Sequence, residues 1–204
     1  MYYAIHTPIG DINVRNAYDE AVVKETVLEH QYERWGDIKI EGNVIDAGAF
    51  IGDFTKLALF NGCTVTAVEP DPGNLEMLRI NAPKAVIVPK AITNDKLVHF
   101  YQDRERAELN KIANSGILVE GITLDQLITK PVDLLKMDIE GGEYDAIYGS
   151  NKLKDMVKQI TMEYHNGLGK VGELMWYLGD IGFQFGWIGG QDWGHLQCKN
   201  KRFK

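Results

Sequence analysis

Apolar positions along the chain follow two spacings, one of period two and one of helical period, and they alternate. Tyr2 to Val14 reads as a short strand, a turn at Pro8-Ile9-Gly10-Asp11 and a second strand. Ala17 to Trp35 reads as a helix, with Val22, Val23, Val27 and Leu28 on one apolar stripe. From Gly42 onward strands and helices take turns. Strands are predicted over Asn43 to Ala47, Cys63 to Val68, Ala85 to Pro89, Leu134 to Asp138 and Gln159 to Tyr164. Helices are predicted over Asp53 to Asn61, Pro72 to Asn81, Thr123 to Ile128, from Tyr144 to Ser150, and over Glu173 to Leu178. Lys96 to Tyr101 reads as an extra strand, and Asp103 to Ser115 as a polar loop or frayed helix. Phe183 to Ile188 and His195 to Lys199 read as a closing hairpin around Gly189-Gly190.

Strands separated by helical crossovers imply a mostly parallel sheet with helices on both faces. The closing hairpin adds an antiparallel edge. At 204 residues the chain has room for one well-filled core. Residues 1–40, a β-hairpin and cap helix, are expected to belong to the same domain as the Rossmann-like unit over 41–204, and to lie over its ligand cleft. Hydrophobic residues make up 45% and charged residues 25%, with a net charge of -7. That balance argues against a diffuse basic surface for nucleic acid. Cys63 and Cys198 form no CxxC pair, so neither zinc nor a disulfide framework is supported. No membrane span or leader is expected, and the cysteine pattern fits a reducing, cytoplasmic setting.

The first informative stretch is Val44-Ile45-Asp46-Ala47-Gly48-Ala49-Phe50-Ile51-Gly52, a strand running into a glycine turn and a helix. Gly48 permits a tight turn and close ligand approach, and Gly52 lets the helix pack near the strand. A dehydrogenase would show G-x-G-x-x-G for a pyrophosphate; here the order is D-x-G-x-x-x-G. An acid beside the loop disfavours a pyrophosphate and suits a cationic ligand such as S-adenosylmethionine, with its sulfonium and ammonium. The next strand ends at Val68-Glu69-Pro70-Asp71, about 20 residues on, where a ribose diol is gripped in such folds. Glu69 can accept both ribose hydroxyls and Pro70 can lie against the adenine. The plainer alternative is a solvated acid opening a turn, with Asp71 as helix N-cap.

The second stretch is Leu134-Leu135-Lys136-Met137-Asp138-Ile139-Glu140-Gly141-Gly142-Glu143. Asp138, at the carboxyl end of a strand, is expected to face cofactor and acceptor. Glu140 and Glu143 follow on a glycine turn, where helix capping is an equal role for Glu143. Lys136 shares a strand face with Asp138 and, being partly buried, needs a partner, for which Glu163 is the candidate. His165 falls just past the next strand and is a candidate general base for a hydroxyl; a loop histidine is the plainer alternative. His6, His30, His99 and His195 carry no such case. Asp138, Glu140, Glu163 and His165 could also ligate magnesium or manganese, but no metal is assigned from the sequence. The aromatics Trp176, Trp187 and Trp193 are candidates either for an acceptor pocket or for core packing.

These motifs resemble the FkbM family of methyltransferases. The resemblance runs from Val44 to Asn166 and is weaker in the preceding helix. It rests on the glycine loop, Val68-Glu69-Pro70, Thr123-Leu124-Asp125, Lys136-Met137-Asp138-Ile139-Glu140-Gly141-Gly142-Glu143 and Glu163-Tyr164-His165. It implies a Rossmann-like class I methyltransferase fold with a seven-stranded sheet and S-adenosylmethionine as cofactor. It also implies O-methylation of a small molecule such as a sugar or natural product. The cofactor residues implied are Asp46, Gly48, Ala49, Phe50, Gly52, Glu69, Pro70, Ala91 and Asp138; the catalytic ones are His165, Asp138 and Glu163. Phe50 stands where the family often has asparagine. Val88 to Thr93 lacks the acid that many class I enzymes use for adenine, so backbone groups near Ala91 are expected to hold that ring. No Asn-Pro-Pro-Tyr-type motif marks amino-group methylation. An RNA methyltransferase and a non-catalytic cofactor-binding protein are the alternatives, with a dehydrogenase behind both.

Overall fold

The structure, a computed structural model, describes residues 2–33, 37–101, 111–165, 170–190 and 192–203. The chain opens on an antiparallel hairpin of β1 (Tyr3–Ile5) and β2 (Ile12–Val14). Helix α1 (Ala17–Val23) follows, its N-cap Asn16 accepting from Asp19 N. The helix then widens into a π-helical stretch over Lys24–Leu28, which turns Thr26 and Val27 inward. His30 takes a left-handed φ of 53°, so the helix expected to reach Trp35 ends at Leu28. Trp35 itself lies outside the described residues.

The alternating segment is β3 (Asn43–Ala47), α2 (Asp53–Phe60), β4 (Thr64–Val68), α3 (Pro72–Asn81) and β5 (Val86–Val88). Asp71 caps α3, accepting from Asn74 N at 2.8 Å, and Pro72 takes the first helical position. Then come β6 (Ala91–Ile92), β7 (Leu97–Tyr101), β8 (Lys111–Ala113), β9 (Ile117–Ile122) and α4 (Leu124–Leu127). The chain finishes with β10 (Leu134–Met137), α5 (Glu143–Tyr148), α6 (Leu153–Met156), β11 (Gln159–His165), α7 (Val171–Asp180), β12 (Phe183–Gly189) and β13 (Trp193–Asn200).

Seven strands form one sheet in the order β12-β13-β11-β10-β3-β4-β5. All documented pairs are parallel except those of β13, which runs antiparallel to both β11 and β12. The expected seven-stranded, mostly parallel sheet and its closing hairpin are therefore present. The chain leaves β3 toward β4 and β5 on one side, and leaves β10 toward β11 on the other. The carboxyl ends of β3 and β10 thus flank the point where the winding reverses, which is where open α/β sheets bind ligands.

Burial alternates across the sheet. Val44 and Leu134 pack with Phe54, Leu57 and Ala58 of α2 and with Val23. Their neighbours Ile45, Leu135 and Met137 face the other way, onto Leu124, Ile147, Leu174 and Leu178. Each such side chain contributes roughly 1.5–3 kcal/mol on full burial, so both faces are needed to hold the sheet flat between helices. Asp125 anchors α4 to the loop before α6, accepting from the Ser150 hydroxyl at 2.6 Å and from Asn151 N and Lys152 N at 3.2 Å each.

One part of the architecture departs from expectation. A second sheet, ordered β6-β9-β7-β8, stands beside the first. Of the stretch read as a loop or frayed helix, residues 111–113 form β8, paired with β7, and 102–110 lie outside the described residues. The extra strand expected over Lys96 to Tyr101 is present as β7, in which Val98 and Phe100 are buried while Leu97, His99 and Tyr101 are exposed. No helix among the described residues is long and apolar enough to cross a membrane.

Candidate functional site

The loop after β3 is fixed by its backbone. Gly48 N and Ala49 N both donate to Val68 O at 3.0 Å, and Asp138 N donates to Ala47 O at 2.9 Å. Gly48 has φ +78°, and a Cβ there would fall 1.7 Å from the carbonyl oxygen of Asp138. Only glycine lets the two strand ends meet so closely. Phe50 is also left-handed, at φ 49°; its ring lies edge-on to Tyr18 and under the Arg15 guanidinium, 5.5 Å from the ring centroid. Its amide donates to Glu69 Oε2 at 2.9 Å.

Glu69, 5% exposed, is pinned from two more sides: Asp71 N donates to Oε1 at 2.8 Å and Asn74 Nδ2 at 3.3 Å. Burial raises its pKa and the hydrogen bonds from Asp71, Phe50 and Asn74 pull it back, leaving it near 7. One carboxylate therefore joins the loop after β3 to the start of α3.

Below the loop lies a buried ion pair. Lys136 Nζ donates to Gly48 O at 2.7 Å and stands 3.3 Å from Asp46 Oδ1, both side chains being almost fully buried. Thr55 donates its hydroxyl to the other oxygen of Asp46 at 2.5 Å. The ammonium also faces the Tyr32 ring, 5.1 Å from its centroid. Burial works against its charge, but Asp46, Asp138 and Asp53 outweigh that and hold its pKa above the ordinary value. The partner expected for Lys136 was Glu163. The structure gives it Asp46 instead, because β3 and β10 are neighbours in register, Asp46 opposite Lys136.

The third group gathers at the ends of β10 and β11. His165, the last residue of β11 rather than the first of a loop, has Nε2 at 3.5 Å from Glu140 Oε2 and 3.4 Å from Glu163 Oε1. Its Nδ1 lies 3.3 Å from Glu143 Oε1. Glu143 is fully buried and accepts from Ile139 N and Gly141 N, so it closes the turn and orients the imidazole together. Asp138 accepts from the Tyr32 hydroxyl at 2.9 Å. Burial disfavours a charged His165, but Glu143, Glu163, Asp138 and Glu140 overcome it and push its pKa up to about 11. Burial, then Asp138, push Glu140 up to about 8. Without a ligand the imidazole is thus protonated, and the expectation of a free imidazole base gives way to a carboxylate-held cation.

A cavity of about 340 Å³ joins these groups. Gly48, Phe50, Glu69, Pro70, Ala91, Asp138, Glu163 and His165 all line it. Asp46, Ala49 and Gly52 do not. Asp46 is enclosed by Lys136 and Thr55; Ala49 packs against α3; Gly52, at φ +90°, caps α2 where a Cβ would meet Leu78 at 2.7 Å. These three support the loop from behind rather than present themselves to a ligand.

Sequence reasoning missed several lining residues. Tyr18, Thr26, Gln31 and Tyr32 come from the N-terminal segment, which covers the cleft as anticipated. Asp53 is buried in the first turn of α2, hydrogen-bonded to Thr26, and burial raises its pKa to about 6. Its signal was an acid directly after the second glycine of the loop, read there only as a helix start. A second cavity, of about 390 Å³, is lined by Glu25, Glu29, Gln31, Glu163, Trp193 and His195. His195, dismissed from sequence, belongs here because β13 places it opposite Glu163. Trp193 lines the same cavity; Trp176 is 72% exposed and lines neither.

A sheet wound in this order has the Rossmann-like fold of the class I methyltransferases. Three solved structures share the fold. One is a candidate RNA methyltransferase from Pyrococcus horikoshii, at TM-score 0.53 and 13% identity, covering 89% of this chain and 84% of that one. Another is an rRNA methylase from Streptococcus thermophilus, at TM-score 0.51 and 13% identity over 86% and 95%. A third is the magnesium protoporphyrin IX methyltransferase of Synechocystis PCC 6803, at TM-score 0.50 and 12% identity over 89% and 77%. No curated protein matches the chain. Residues 46–185 match the methyltransferase FkbM domain, and the chain belongs to that family. S-adenosylmethionine is the cofactor of the fold and family. The residues present fit it: a buried carboxylate held from both oxygens faces the cavity beside a glycine turn with no room for a Cβ.

Removing one partner of the buried pair should unfold more than it frees. Lys136→Met is expected to cost about 3–5 kcal/mol in urea unfolding, because Asp46 is left buried and uncompensated. Adding Asp46→Asn to that variant should recover part of the loss; no recovery would show that the two groups are not coupled.

Proposed function

We propose that the chain is an S-adenosylmethionine-dependent O-methyltransferase acting on a hydroxyl of a small polar molecule. The observation that carries this reading is the position of Glu163. It lines both the cavity that holds Glu69 and the neighbouring acceptor-side cavity, with Glu25 and Gln31 as the other shared walls. A group at that junction can meet a hydroxyl entering from one side and a methyl donor lying on the other.

When bound, S-adenosylmethionine supplies an activated methyl group on a sulfonium, so the protein's part is alignment, exclusion of water and removal of one proton. Glu69 would accept from the ribose diol, and Pro70 and the Ala91 backbone would hold the base. Gly48 and Phe50 present the turn, and Asp138 faces the junction. Tyr32 and Tyr18 close the cleft from the N-terminal side. Glu163 takes the acceptor proton; Gln31 Nε2 donates to its Oε2 at 2.9 Å and fixes its orientation. His165, charged and 3.4 Å from Glu163, is a positioning group that stabilises the ionised carboxylate. Asp46 acts at one remove, through Lys136 and the Gly48 carbonyl.

The acidic walls of both cavities and a net charge of -7 support a small acceptor over a phosphate backbone, which needs a positive surface. Cys63 and Cys198 are both free and buried, which supports a reducing, cytoplasmic setting.

Glu163→Gln should lower kcat by about 10²–10⁴-fold while calorimetric affinity for the cofactor stays within a factor of two or so. An equal loss of affinity would move Glu163 from proton transfer to cofactor binding. Glu69 yields a pH signature. Its folded pKa, near 7, is raised above 4.5, so it is largely protonated below neutrality and a poor acceptor for the diol. Cofactor affinity should rise about ten-fold from pH 6 to pH 8, and this slope should vanish in Glu69→Gln. The same shift means that this group's contribution to stability falls as pH rises from 4.5 to about 7.

A further inference from the structure

We infer that the carboxyl edge of β10 and β11 holds a hard divalent cation of the magnesium or manganese class, with Asp138, Glu140 and His165 as its protein ligands. One donor atom from each lies within 4.8 Å of the other two, and all three side chains are partly buried on the cavity wall. A single ion can therefore bridge them with small rotations of the side chains.

The imidazole carries the second, independent observation. Its Nδ1 faces Glu143 Oε1 at 3.3 Å, and Glu143 is itself buried and locked by the amides of Ile139 and Gly141. A carboxylate on one ring nitrogen keeps a proton there and leaves the other nitrogen to give up its proton when an ion takes its place, an arrangement that accompanies metal-ligating histidines. That other nitrogen is Nε2, which faces Glu140 and Glu163 inside the cavity. An imidazole serving only as a loop hydrogen-bond donor would not need a fully buried acid behind it.

Charge points the same way. Asp138, Glu140, Glu143 and Glu163 gather around His165, with the His195 imidazole 3.8 Å from Glu163, while the Lys136 ammonium is turned to Asp46 and the Gly48 carbonyl. Even a protonated His165 leaves the group short of positive charge. Two carboxylates and one imidazole leave three positions of an octahedral ion for water or substrate oxygen. Those positions open toward Glu163 and the junction of the two cavities.

The cation site stands on its own geometry. Only its use, polarising the acceptor hydroxyl so that Glu163 receives a more acidic proton, rests on the O-methylation reading. The test uses manganese alone, titrated into the full chain without cofactor and followed by electron paramagnetic resonance. One ion per chain is expected to bind to the wild type. Glu140→Gln and His165→Gln should each weaken binding by at least about ten-fold. Asp155→Asn, an exposed acid paired with Arg202, should change nothing. Circular dichroism checks that the variants fold. Paramagnetic broadening of the His165 ring signals in the wild type gives a readout that needs no variant. Absence of saturable binding, or equal binding in Glu140→Gln and His165→Gln, overturns the site. Manganese binding without methyl transfer to any hydroxyl acceptor leaves the site standing and removes the O-methylation reading. Methyl transfer in a protein that binds no manganese does the reverse.

Discussion

A single ammonium under the glycine loop holds the cleft in shape. Lys136 reaches from β10 to Gly48 O in the loop after the neighbouring strand β3 and is neutralised by Asp46 on that strand. The pair cannot be dissolved by solvent, since neither side chain is exposed, and each alone would be a buried uncompensated charge. The loop therefore cannot lift away from β10 without unpairing it. Gly48 adds the steric half of the constraint: its missing Cβ is what allows the Asp138 carbonyl to approach. The same ammonium faces Tyr32, whose hydroxyl donates to Asp138, so the cover and the floor of the cavity share one anchor.

Acidic groups serve three separate purposes within a short distance, and the difference lies in their surroundings. Asp46 is enclosed and paired, so it is structural. Glu69 is enclosed but met by amide donors, so it keeps an accessible face and a pKa near neutrality. Glu140 and Glu163 have no backbone amide donor among the described residues and share the His165 imidazole, with Gln31 as a further donor to Glu163. Identical chemistry is thus divided by desolvation and by the number of backbone donors.

The fold was legible where the spacing of apolar residues and punctuation by Gly, Pro and Asp agreed. Helix α3, with Asp71 as its cap and Pro72 at its start, was readable to the residue, and so was β3. Of the second sheet only β7 was readable, because β8 is three residues long and largely exposed, and β9, although apolar, is interrupted by Glu120 and Gly121 and takes its partners from the tertiary fold. The helix through Trp35 failed for a different reason: periodicity continues past Leu28 while the backbone turns left-handed at His30. Within the site, Glu69, Asp138 and His165 could be placed because strand ends converge on the switch point. Asp46 was assigned to the ligand because its strand position is equivalent, yet sequence does not disclose which face of the strand end is solvated. The partner of Lys136 needed the register of β3 against β10.

Where the acceptor is chosen follows from which segments build which wall. The family match spans residues 46–185 and contains Glu69, Asp138, Glu140, Glu163 and His165, the groups assigned to cofactor and chemistry. Of the residues lining the second cavity, Glu25, Glu29, Gln31, Trp193 and His195 all fall outside that span. They are carried by the N-terminal cover and by the antiparallel strand β13. The cover is fastened at several points: Thr161 and Gln197 both donate to the Tyr32 carbonyl, at 2.9 and 2.8 Å, and Gln31 donates to Glu163. On the proposed reading, selectivity resides in a wall built outside the matched span, and exchanging that wall is the physical means by which one cofactor chemistry can serve different acceptors.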